Sequence, residues 1–206
     1  MKNLATLLVK KTDGAEMQLE GDGDTGALKI IESEHAKIHD GYSFSASYST
    51  TTAATDDHRT GISFTTPAAS VGEMHAVFTA TASHAAEVTL SEAPTLDSDP
   101  GANVAPYNRN RNSTVTSICG SSETTPTLNE YTTLTEAQIA GGTFTAGTNI
   151  AYEVLVAGGG PKALGGASRA GQEWELKAAT KYIFWVQNIG NNANTHVLNM
   201  DWYEVV

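Results

Sequence analysis

An all-β fold, an antiparallel β-sandwich of jelly-roll type with an extended N-terminal arm, is what this sequence predicts, on three observations. Side chains alternate with a period of two through Tyr42–Ser49 and again through Met74–Thr81. Charged residues make up 17% of the chain, below the roughly 25% of an average globular domain, while Ser and Thr together supply about a fifth. A length of 206 residues suits sandwiches and barrels, which run to about 200–250 residues as one unit.

Residues 1–32 predict a separate N-terminal arm and residues 33–206 the sandwich. The arm has a short amphipathic piece (Leu4, Leu7, Leu8, Val9) followed by the turn-rich Gly21–Gly26, GDGDTG. An arm ordered against a partner or a neighbouring subunit is preferred over a simple edge hairpin. In the stretch from Gly41, Tyr42, Phe44, Ala46 and Tyr48 occupy one face of a strand and Ser43, Ser45, Ser47 and Ser49 the other. A second strand, Ile62–Thr65, ends at Pro67, which lacks an amide donor.

In the next strand Met74, Ala76, Phe78 and Ala80 alternate with His75, Val77, Thr79 and Thr81. Glu87–Leu90 follows after a few residues, which predicts a hairpin between the two. Residues 91–126, rich in Pro, Asp, Asn, Ser and Thr, predict a long loop of the kind that is functional or held by a neighbour. A glycine-rich loop covers Ala157–Gln172. Ile150–Val156, Glu173–Leu176, Tyr182–Asn188 and His196–Val206 complete seven or eight strands, with Glu136–Ala140 the one helical candidate.

A formal charge of −11 with only four arginines, Arg59, Arg109, Arg111 and Arg169, argues against a nucleic-acid partner, because phosphate contacts need clustered basic residues. The single Cys119 forms no intramolecular disulfide. The apolar run Leu4–Val9 is too short for a secretory core, and no stretch reaches the eighteen or so apolar residues of a membrane helix, so no membrane partner is expected.

His35 and His39 have the i, i+4 spacing of a helical metal pair, but EHAKIHD lacks the glutamate directly after the first histidine that a zinc protease needs. Asp22–Gly26 opens like a calcium loop yet misses the later ligands, and Gly158–Lys162 fits neither a P-loop nor a dinucleotide fingerprint. No GxSxG marks a nucleophile. Catalytic, metal and cofactor-binding residues are therefore not expected, nor is a cofactor. Trp174, Trp185, Trp202, Tyr182 and Tyr203 either stack on sugars or anchor a core.

On this acidic chain the basic run Tyr107-Asn108-Arg109-Asn110-Arg111-Asn112 stands out, since guanidinium groups among amides can clamp another surface's carboxylates and carbonyls. The competing reading is a loop whose amides cap its own turns while its arginines fold onto local carboxylates. With Leu4, Leu7, Leu8 and Val9 of the arm, these six residues form the expected protein-contact set.

Three stretches resemble head decoration proteins of tailed phages: Thr66-Pro67 with Glu73–Phe78; Tyr107–Ser113; and Gln172–Leu176, Thr180–Phe184 and Asn188 joined to Asp201–Glu204. The resemblance implies a non-enzymatic jelly-roll subunit, a homotrimer, on the capsid exterior of a virion assembled in the host cytoplasm. It would bind the major capsid protein and stabilise the shell. A tail receptor-binding or carbohydrate-binding module is the alternative.

Overall fold

The computed structural model describes residues 8–10, 16–18, 33–52, 59–95, 103–120, 128–134, 145–156, 162–163 and 173–206. Leu4, Leu7, the Gly21–Gly26 turn and Glu136–Ala140 lie outside them, as does most of the Ala157–Gln172 loop. The chain divides into two compact units, Met1–Ala36 and Lys37–Val206. In the first, β1 (Leu8–Lys10) and β2 (Glu16–Gln18) form an antiparallel pair with Val9 opposite Met17.

Helix α1 (Ser33–Asp40), which two-residue alternation does not reveal, comes next in sequence. It stops at Gly41, whose φ of +82° few other residues tolerate. Gly41 N–H donates to the Ile38 carbonyl (3.1 Å) and Tyr42 N–H to that of Lys37 (2.9 Å), a Schellman close that satisfies the last turn.

The second unit is a two-sheet antiparallel sandwich built from β3 (Ser43–Thr52), β4 (Arg59–Thr65), β5 (Glu73–Ala82), β6 (Ala86–Glu92), β7 (Asn103–Val104), β8 (Tyr107–Asn108), β9 (Leu128–Leu134), β10 (Thr148–Leu155), β11 (Lys162–Ala163), β12 (Trp174–Glu175), β13 (Lys181–Asn188) and β14 (Asn194–Val205). The first sheet runs β8-β3-β14-β5, with β11 and β12 both on the far side of β5; the second runs β7-β9-β4-β13-β6-β10. Setting aside β7, β8 and β9 and counting β11 with β12 as one position, successive strands alternate between sheets except for β6 and β10, which are neighbours in the second, and the first strand lies beside the last. This is the doubly wound order of a jelly roll. The 91–126 excursion is thus not all loop: it adds β8 to one sheet edge and β7, with β9 just after it, to the other.

One expectation fails. β5 and β6 are not a hairpin; β5 pairs with β14 and β6 with β13 and β10, in opposite sheets. The three residues between them form an arch over the sandwich edge, held from a distance by Asn194. Its side-chain oxygen accepts from His84 N–H (2.9 Å), and its amide donates to the carbonyls of His84 and Ala85 (both 3.2 Å). With these peptide groups bonded to a side chain, the turn needs no ladder partner.

The core follows from alternation. Rows across the first sheet read Phe44–Trp202–Ala76, Ala46–Met200–Phe78 and Tyr48–Leu198–Ala80, so each row combines small and large side chains on the inward face. The facing sheet supplies Ile62, Phe64, Val88, Leu90, Tyr182, Phe184 and Val186. Phe78 meets Phe64 (ring centroids 5.9 Å) and Phe184 (5.2 Å), which locks the sheets together. Burial of one such ring contributes about 2–3 kcal/mol. His196 also points inward, fully buried, with its Nδ1 3.1 Å from Thr60 Oγ1 on the opposite sheet and its Nε2 without a hydrogen-bond partner.

Candidate functional site

The Tyr107–Asn112 run lies on the outer margin of the first sheet, and its residues divide between building and presenting. β8 pairs with β3, Tyr107 opposite Ser45 and Asn108 opposite Phe44, so Tyr107 shares the solvent face with the β3 serines. Asn108 faces the other way. Its amide donates to the carbonyls of Gly41 (2.7 Å) and Val115 (2.9 Å), and its oxygen accepts from Asn110 N–H (2.9 Å).

Asn110 repeats the device. It donates to the carbonyl of His39 (2.9 Å) at the end of α1 and accepts from Asn112 N–H (3.1 Å). Two Asx turns in succession therefore shape the loop, as expected of residues whose short amides mimic backbone. Gly41 seats it: a Cβ there would fall 2.3 Å from Ser113 Oγ. Asn108 and Asn110 thus serve the loop-capping reading.

What the loop presents is Tyr107, 57% exposed, with the Arg111 guanidinium 5.5 Å from its ring centroid. That distance is within cation–π range. Arg111 therefore stacks on an aromatic face. Arg109 N–H donates to the Ser43 carbonyl (2.8 Å), and its side chain reaches Ser43 Oγ at 3.5 Å. Asn112 is exposed. Leu8 and Val9 lie on β1, in the other unit.

Register carries the face further than the sequence suggested. Ser45 is opposite Asp201, and Asp201 opposite Val77; Ser43 is opposite Tyr203, and Tyr203 opposite His75. His75 and Tyr203 stack, centroids 4.8 Å apart and 8° from parallel. Glu173 Oε1 takes hydrogen bonds from both, 2.9 Å from His75 Nδ1 and 2.5 Å from Tyr203 Oη. Arg109, Tyr107, Asp201, Tyr203, His75 and Glu173 therefore lie along one strip of the outer face, basic at one end and acidic at the other. His75, Glu173 and Tyr203 were not in the expected contact set. The alternation that turns His75 outward was visible, but its neighbours are set by strand pairings between residues about a hundred or more apart.

The loop beyond the strip is tied down by a buried carboxylate. Glu204 accepts from Ser117 Oγ (2.6 Å), Ile118 N–H (3.0 Å) and Trp202 Nε1 (3.1 Å). Burial pushes its pKa up, and these hydrogen bonds act in the opposite direction. Cys119 beside it is buried, and burial holds its thiol well above the usual range, a structural and unreactive cysteine.

The remaining candidates separate. His35 and His39 are both exposed on α1, and among the described residues no three His, Cys, Asp or Glu side chains gather as a metal set. Trp202 and Tyr182 are core. Trp185 is only 8% exposed, donating to Ser91 Oγ (3.0 Å) beneath the Arg59 guanidinium (5.0 Å), and Trp174 packs against the core. These rings act as anchors, not as an open stacking platform. A cleft of about 160 Å³ between Thr66–Met74 and Glu175–Ala178 is smaller than the roughly 300–1,000 Å³ of small-molecule pockets. The outer strip is the candidate site. No protein-family model, no curated protein and no solved structure matches the chain.

Proposed function

We propose that this chain is a non-enzymatic virion structural protein that decorates and stabilises the outside of a phage capsid by binding the major capsid protein. The observation that carries the reading is the clamped loop: Asn108, Asn110 and Gly41 are spent on holding Tyr107 and Arg111 outward as a stacked pair. On a chain of net charge −11, a basic and aromatic projection suits a partner surface that offers carboxylates and an apolar seat. Many copies on a repeating lattice turn such modest contacts into firm attachment.

The test is co-sedimentation with undecorated capsids of the phage encoding the chain. Wild type should pellet with capsids, and Tyr107→Ala combined with Arg111→Glu should weaken binding by at least about 30-fold, the loss of one interface hot spot. Unchanged capsid binding by that variant would overturn the assignment of the loop. Absence of capsid binding together with specific retention on a glycan array would overturn the decoration reading in favour of a receptor-binding module.

A further inference from the structure

Strand β10 lies at the rim of the second sheet, and among the described residues it pairs only with β6. The backbone N–H and C=O groups of every second residue therefore point away from the sheet. Tyr152, Val154 and Val156, at alternate positions on or just beyond this strand, are 55%, 42% and 62% exposed. The Tyr152 hydroxyl bonds to Glu87 on the neighbouring strand, which fixes the ring over the sheet face.

Edge strands are ordinarily blunted by lysine, proline, bulges or inward charge. Thr148–Val156 contains no Lys and no Pro, and its one bulge is confined to Asn149–Ala151. From Ala151 onward the strand is regular, with Glu153 as its only charge.

We propose that two copies of this chain join edge to edge along β10, antiparallel, with Val154 on the twofold axis. The sequence of the strand selects both occupant and register. About Val154, Val154 meets its own copy and Tyr152 meets Val156 of the second chain, so every exposed apolar side chain finds an aromatic or β-branched partner. Glu153 then lies opposite Leu155. A register centred on Glu153 would set two carboxylates directly opposite each other on an already acidic protein, and one centred on Tyr152 would carry the pairing into the bulge. An isologous contact of this kind needs no partner strand other than the one the chain already has.

The inference is independent of the capsid reading and is tested on the full chain by measuring its mass in solution across a wide concentration range. The wild type should be a dimer or an even assembly of dimers. Val154→Lys places like charges on the axis and removes the valine pair, and should weaken the association by about 100-fold while leaving the melting profile of the fold in place. Val154→Cys should form an intermolecular disulfide on mild oxidation, since directly opposed residues have Cα atoms about 4.5–5.5 Å apart, whereas Glu153→Cys should not. Cys119 is buried and does not compete. A monomer at all concentrations, an oligomer untouched by Val154→Lys, or cross-linking through residue 153 in place of 154 would each overturn the proposal.

Discussion

Acid should weaken this sandwich through one side chain, His196. Burial between the sheets lowers its pKa from 6.5 to about 4. The native state therefore keeps the imidazole neutral, while the unfolded chain takes up a proton as pH falls through 6.5. Stability is complete above pH 6.5 and is lost progressively down to about pH 4. At about 1.4 kcal/mol for each tenfold difference in proton affinity, the full loss is about 3 kcal/mol, of which about 2 kcal/mol is gone by pH 5. The control is the double variant His196→Leu, Thr60→Val, which removes both polar groups of the 3.1 Å contact and leaves no hydroxyl stranded. Urea unfolding followed by tryptophan fluorescence at pH 7.5, 6 and 5 compares the two proteins. Titration of every other group is common to both and cancels in the difference. The double variant should match or exceed the wild type at pH 7.5 and lead it by about 2 kcal/mol more at pH 5 than at pH 7.5. If both lose stability in parallel on acidification, the buried imidazole is not the sensor and the argument fails.

Three further outcomes follow from the described contacts. Glu204→Gln turns an amide group towards the N–H donors of the 117–119 loop and should destabilise by about 1–3 kcal/mol, read from urea midpoints. Because burial raises the Glu204 pKa, the wild type should gain on this variant as pH falls towards the carboxylate range, opposite in sign to His196. Asn194→Ala strands the peptide groups of the β5–β6 arch and should cost about 2–4 kcal/mol, with amide exchange at His84 and Ala85 rising first. Gly41→Ala forces a left-handed φ and a collision with Ser113, for about 2 kcal/mol or more, and should lower the protease resistance of the 107–115 loop before that of the sheets.

Where a strand buries one face only, its residues announced it. β3 and β5 alternate cleanly, and Phe44, Ala46, Met74, Ala76, Phe78 and Ala80 are buried on their inward faces. β13 was recognisable but its faces were not: Ile183 and Trp185 are buried on the side turned away from the inter-sheet core, where Gly61 makes room for them. The β5–β6 connection was misjudged because three residues suit a hairpin and an arch equally, and the deciding group, Asn194, lies about a hundred residues downstream. The Tyr107–Asn112 run showed itself by charge. Its division into Asn108 and Asn110 as braces and Tyr107 and Arg111 as display needed the positions of Gly41 and His39. The His75–Glu173–Tyr203 cluster exists only through the pairings of β5 with β14 and with β12, which no local pattern encodes.

The placement of β14 between β3 and β5 has a kinetic meaning. Both flanking strands are synthesised early, yet neither meets the other directly, and their common partner follows every other described strand. During translation the first sheet therefore has no centre: Phe44, Phe78 and Met74 have to wait with their apolar faces unburied. Closure of the core comes as a late event spanning some 150 residues of chain, the regime in which loop entropy makes folding slow.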